Sequence, residues 1–171
     1  MLQAFCLLRD KFPQLQLVLA GPGLGADCAE LLRSEVARLG LQDRVRLPGG
    51  LTDLRAFWQE VDIYVQPSHY EGAPMSLMEA LWHGKPSIGT RVSGIPEIID
   101  EEKTGLLVEP KNPAALAAAL ERLLVEPETR RRFSAAGPAG ILRKKMTGPQ
   151  MVQCYADLYE EVLAKTGARR K

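Results

Sequence analysis

The sequence predicts an α/β protein, a parallel sheet with helices on both faces. Three observations carry this. Short β-type runs alternate with longer helical ones up to about residue 108, the pattern of parallel strands joined by helical crossovers. After Asn112 the strand signal stops and the remainder reads as helix. With 171 residues, 46% hydrophobic and 25% charged, the chain can bury a substantial core, and its length suggests one domain, residues 1–171, with a core of about 2–125 and a helical extension of about 127–165.

Taken in order, residues 1–11 read as a helix leading into the strand Leu15-Gln16-Leu17-Val18-Leu19-Ala20. A βα unit is thus entered halfway, and the sheet's first strand is expected to be missing from this sequence. Residues 28–39 read as a helix with Leu31, Leu32, Val36 and Leu39 on one face. Strands are predicted at 45–47, 63–65, 87–89 and 106–108, with helices near 52–60, 76–83 and 96–100. The clearest helix start is Asn112-Pro113, where Asn caps and Pro takes the first turn ahead of the stripe Leu116, Leu120, Leu123 and Leu124. Residues 127–146 are charged and helical in tendency but broken by Gly137-Pro138. Residues 149–165 read as a last amphipathic helix with Met151, Tyr155, Leu158, Tyr159 and Val162, followed by a tail, 168–171, expected to be disordered.

Charge and cysteine content exclude several classes. Twenty-two Lys plus Arg against 21 Asp plus Glu leave a net charge of +1, so no global field argues for nucleic acid or an anionic membrane. The odd, scattered Cys6, Cys28 and Cys154 argue against a disulfide framework or zinc site, fit a reducing, cytoplasmic compartment, and are expected to be buried thiols. The N-terminal apolar stretch, interrupted by Arg9, Asp10 and Lys11, has neither a cleavage-like site nor a spanning segment after it. No integral membrane segment is expected.

Two loops could carry chemistry. Gly21-Pro22-Gly23-Leu24-Gly25-Ala26 formally matches a dinucleotide fingerprint, which would make a dehydrogenase. That fingerprint wants an acid at the end of the next strand, whereas Asp43 lies before it, and a plain strand-to-helix turn is the better reading. The stronger signal is Glu71-Gly72-Ala73-Pro74-Met75-Ser76-Leu77-Met78-Glu79, placed at the carboxyl end of a strand, where open α/β sheets bind ligands. A helix starting near Ser76 would aim unpaired N–H groups and a positive dipole end at an anion. Glu79 would sit roughly 4–5 Å further along the axis. Carboxylates repel phosphate, so both acids should accept hydrogen bonds from hydroxyls flanking a diphosphate. Against this stands a solvated Glu71 and a Glu79 favoured only by the helix dipole; by residue type the two readings are level.

The pattern Glu71-Gly72-x5-Met78-Glu79-Ala80-Leu81-x2-Gly84-x-Pro86, with Ser93-Gly94-Ile95-Pro96-Glu97 and Thr104-Gly105-Leu106-Leu107-Val108, resembles the donor-binding half of the retaining GT-B glycosyltransferases of family 4. Leu39-Gly40-Leu41-Gln42-Asp43-Arg44-Val45 and Pro67-Ser68 extend the resemblance, which runs from about Leu2 to Leu163. It implies a Rossmann-like sheet, the C-terminal half of a GT-B fold, in a retaining hexosyltransferase whose donor is a nucleoside diphosphate sugar and which needs no cofactor or metal; no D-x-D motif occurs. By resemblance Glu71 is the catalytic-site acid that contacts the transferred sugar, and Glu79 holds the ribose. Gly72 and the amides of Met75, Ser76 and Leu77 face the sugar and diphosphate, and Gly50 and Leu51 match the backbone that contacts the base. Where the family often has Phe-Gly this chain has Ala73-Pro74, and proline has no N–H to donate.

The family's leaving-group cations, a Gly-Arg strand end and a Lys-Gly, belong upstream of Met1, as does its acceptor-binding N-terminal domain. The resemblance therefore implies a donor site without its main electrostatic catalyst, and an isolated chain with little or no activity. An alternative is a non-catalytic nucleotide-sugar-binding or scaffolding half that pairs with a separate N-terminal partner. Arg91 and Lys85 are the nearest basic candidates but read better as solvated surface cations. His83 is read as complementing a helix end and His69 as a weak candidate for ligand approach. In the family the last helix crosses back to the N-terminal domain, so its apolar stripe is expected to be partly exposed and to promote self-association. The expected location is the cytoplasm, with the intact enzyme either free there or peripheral to a membrane.

Overall fold

A computed structural model of the chain describes residues 1–21 and 26–166. The elements run α1 (Leu2–Leu8), β1 (Leu17–Ala20), α2 (Ala26–Arg38), β2 (Val45–Gly49), α3 (Leu54–Glu60), β3 (Tyr64–Gln66), α4 (Met75–Trp82), β4 (Ser87–Thr90), α5 (Ile95–Ile98), β5 (Gly105–Val108), α6 (Pro113–Val125), α7 (Pro127–Arg143) and α8 (Gly148–Thr166). The strand–helix alternation predicted from sequence is present, and every strand pair is parallel.

One point of topology departs from a single continuous sheet. β1 pairs only with β2, and β3, β4 and β5 form a second sheet in that order. The helix α1 bridges the division: Phe5 packs with Val36, Leu41 and Val45 on the β1–β2 side, while Ala4 and Leu8 pack with Ile88, Leu106 and Leu120 on the other. All four residues of β4 are buried, as expected of a central strand covered on both faces.

Local chemistry sets the helix starts. Asp53 Oδ1 accepts from the Ala56 amide at 3.0 Å to cap α3, and Asn112 Oδ1 accepts from the Ala115 amide at 3.0 Å to cap α6, with Pro113 in the first turn. The expected break at Gly137-Pro138 is not there: α7 runs through it. Thr129, Phe133, Gly137 and Ile141 form one buried stripe, and Gly137 lets α7 approach α4 so closely that a Cβ would lie 2.5 Å from the Leu81 carbonyl oxygen. Packing along this stripe outweighs the roughly 1 kcal/mol and 3 kcal/mol that Gly and Pro cost a helix interior.

The cysteine expectation is also corrected. Cys28 and Cys154 are exposed and Cys6 is half-buried, because α8 packs on little of the described chain and Cys28 lies on the outer side of α2. On α8, Met151, Val152, Tyr155, Leu158 and Tyr159 are exposed, so that stripe is surface, as expected. None of the described helices is long and apolar enough to cross a membrane. The dinucleotide-like loop, from Pro22 to Gly25, and the 168–171 tail lie outside the described residues.

Candidate functional site

The carboxyl end of β3 places three polar side chains on one side of the chain. Tyr64, Gln66 and Ser68 alternate with Val65 and Pro67, and Val65 faces the core. Ser68 Oγ donates to Glu71 Oε2 at 3.1 Å, and Gln66 Nε2 donates to the same oxygen at 3.1 Å and to Ser68 Oγ at 2.9 Å. Tyr64 donates to Gln66 Oε1 and lies 2.8 Å from Ser76 Oγ, on the first turn of α4. Among the described residues, no hydrogen bond falls on Glu71 Oε1.

Two neighbours fix the loop that carries Glu71. Thr90, at the end of β4, donates its hydroxyl to the Ser68 carbonyl oxygen at 2.6 Å. Beyond it, the turn before α5 packs against Gly72, and a Cβ on Gly94 would lie 1.9 Å from the Gly72 carbonyl oxygen. Only glycine tolerates that approach.

The helix α4 begins at Pro74, which caps it without a side-chain hydrogen bond. The Leu77 amide donates to the Pro74 carbonyl at 3.1 Å, so of the amides named from sequence those of Met75 and Ser76 have no partner among the described residues. Fully buried Leu77 and nearly buried Leu81 seat the helix against Ile95, Ile98 and Ile99, which leaves Met75 and Ser76 at the surface. Glu79, one turn further on, is half-buried and makes no side-chain hydrogen bond or ion pair among the described residues. Burial pushes the Tyr64 phenol above its usual range; the hydrogen bond with Ser76 opposes this, and the carboxylates of Glu71 and Glu79 add to it. The phenol therefore stays protonated at neutral pH and keeps its donor, and both acids lie close enough to it to be felt.

The other sequence candidates sit apart. Gly50 and Leu51 follow β2, in the other sheet, and no hydrogen bond among the described residues joins them to Glu71 or α4. Arg91 pairs with Glu101 at 2.5 Å and Glu109 at 3.6 Å. Lys85 precedes β4 and His83 ends α4, both lining a cleft with Asp62, Arg130 and Ser134 on the amino side of the strands, opposite Glu71. His83 stacks on Trp58, ring centroids 5.7 Å apart. His69 is exposed. No cluster of His, Cys, Asp and Glu that could hold a metal occurs among the described residues. Ser68 stands out in the sequence only within the Pro67-Ser68 pair, and Tyr64, Gln66 and Thr90 do not; for Tyr64, Gln66 and Ser68 the signal is the i, i+2, i+4 spacing of polar groups in an otherwise apolar run.

Comparison with known proteins bears on the family and the fold. Residues 1–139 match the family model described as glycosyl transferases group 1. The lipopolysaccharide core biosynthesis glycosyltransferase LpsD of Rhizobium meliloti is 34% identical over 149 residues, 87% of this chain but 42% of the relative, so the chain spans less than half of that protein's length. The C-terminal domain of a group 1 glycosyl transferase, LpcC, from Francisella tularensis superposes with a TM-score of 0.74 at 26% identity, over 83% of this chain and 75% of that one. Sucrose-phosphate synthase from Thermosynechococcus elongatus superposes with a TM-score of 0.77 at 31% identity, over 93% of this chain and 42% of that one. Sequence and fold thus converge, and the chain belongs to the glycosyl transferases group 1 family, with the fold of the C-terminal domain of a GT-B enzyme.

Proposed function

We propose that this chain is the donor-binding part of a metal-independent glycosyltransferase which, in the intact enzyme, moves a sugar from a nucleoside diphosphate to an acceptor hydroxyl with retention. The observation that carries the reading is the arrangement around Tyr64: among the described residues, an acid with one oxygen tied and one open, a helix start with unpartnered amides, and a second acid one turn on. Glu71 Oε1 accepts from sugar hydroxyls. The Met75 and Ser76 amides, aided by the helix dipole, take the diphosphate and stabilise it as it departs. Glu79, with neither oxygen committed to any described residue, accepts from the ribose, and the backbone at Gly50 and Leu51 contacts the base.

Arg91 does not supply the cation that a leaving diphosphate needs, because Glu101 and Glu109 already hold it. The chain therefore recognises a donor but transfers little without an acceptor-binding domain, whether that domain belongs to the same polypeptide or to a separate partner. The apolar surface of α8 fits such a partner or a second copy. Calorimetric titration of the chain with UDP-glucose, GDP-mannose and ADP-glucose tests the reading: saturable binding of at least one is expected. Binding of none, or transfer at rates near those of a full-length relative, contradicts it.

A further inference from the structure

We propose that Gln66 is a positioning residue for the sugar contact, orienting Glu71 and tying it to the start of α4 without touching the ligand. The proposal rests on the donor reading above. Every hydrogen-bonding function of the carboxamide is used. Its two N–H groups go to Ser68 Oγ at 2.9 Å and Glu71 Oε2 at 3.1 Å, and its oxygen receives Tyr64 and faces Ser76 Oγ at 3.4 Å. The amide cannot be turned over without loss, since its oxygen would then face a carboxylate that offers only acceptors.

Two consequences follow for a bound donor. A glutamate on an exposed loop rotates freely, and holding it in one rotamer is a cost that binding would otherwise bear. Here Gln66 and Ser68 fix Oε2 before the ligand arrives, so Oε1 already points away from the tether. Gln66 also reaches, through Tyr64 and Ser76, the turn whose amides face the diphosphate. One half-buried strand residue thus joins the two ends of the site. No other residue type does this at that length: leucine lacks both functions, and glutamate keeps the acceptor for Tyr64 but cannot donate to Glu71.

The test compares Gln66→Leu and Gln66→Glu with the parent chain by calorimetry on three ligand pairs: UDP-glucose and UDP, GDP-mannose and GDP, ADP-glucose and ADP. Both variants should weaken the sugar nucleotide about tenfold, the cost of ordering one long side chain, while the matching nucleoside diphosphate changes less than about twofold. In a Glu71→Ala background, Gln66→Leu should cost the sugar nucleotide nothing further, because the sugar contact that Gln66 positions is then already gone. Equal weakening of both members of a pair, no weakening of either, or a further tenfold loss in the Glu71→Ala background overturns the proposal and leaves the donor reading standing. If the parent binds none of the six ligands, the donor reading fails and the proposal falls with it. Gln66→Glu is nearly isosteric, so it carries the comparison should Gln66→Leu fold poorly.

Discussion

Glu71 sits on a loop and gives one oxygen to Gln66 and Ser68, whereas Glu79 sits in the second turn of α4 and gives neither oxygen to any described residue. The loop acid has no regular structure to hold it and is held by side chains instead. The helix acid is oriented by its backbone, because α4 is seated on Leu77 and Leu81. Two half-buried carboxylates are thus placed by different means, and removing the means should have different effects in the two places.

The largest effect is expected where the loop is most tightly constrained. In Gly94→Ala a methyl would have to occupy space 1.9 Å from the Gly72 carbonyl oxygen, so the Glu71 loop must move. We expect a loss of about 1–3 kcal/mol in thermal or urea unfolding and loss of sugar-nucleotide binding; unchanged stability would show that the loop yields freely. Glu79→Ala comes next. It removes charge-assisted hydrogen bonds to the ligand, worth about 1.5–3 kcal/mol, or roughly tenfold to a hundredfold in nucleoside diphosphate affinity, with little change in unfolding midpoint.

Ser68→Ala sharpens the comparison further, since it takes from Glu71 one of two donors and leaves α4 untouched. Sugar-nucleotide affinity should fall by about 0.5–1.5 kcal/mol and nucleoside diphosphate affinity should hold. The smallest effect belongs to a control remote from both acids. Arg122 hydrogen-bonds Glu102 and holds its carboxyl below the usual range, against burial, so the pair stabilises the fold above the ordinary carboxylate pKa and loses that contribution as pH falls through the depressed value. Glu102→Gln should lower stability at neutral pH by less than about 1 kcal/mol, with the difference from the parent vanishing in acid.

Much of this was legible in the sequence because the signals are local. Asn112-Pro113 announces α6, and the alternation of apolar runs gives the strands to within a residue or two. Glu71 and Glu79 stand out by their spacing and by the family pattern. What was missed depends on contacts between distant segments. Thr90 reaches Ser68 across 22 positions, and Gly94 is confined by Gly72; neither shows in a local window. Gln66 follows the predicted strand 63–65, and the role proposed for it needs Glu71, Ser76 and Tyr64 at once. Gly137-Pro138 misled in the opposite sense: local propensity predicted a break, and packing on Leu81 kept the helix whole. The division into a β1–β2 sheet and a β3–β4–β5 sheet is likewise a matter of pairing between strands, which periodicity does not encode.

The central claim is that Glu71 serves the sugar and Glu79 the nucleoside half of one donor. Calorimetry of Glu71→Gln and Glu79→Ala, each titrated with a nucleotide sugar and with its nucleoside diphosphate, tests it most directly. The account predicts that Glu71→Gln weakens only the nucleotide sugar, while Glu79→Ala weakens both ligands by the same factor. Equal binding by parent and Glu79→Ala, or a Glu71→Gln effect as large on the nucleoside diphosphate as on the nucleotide sugar, would contradict it.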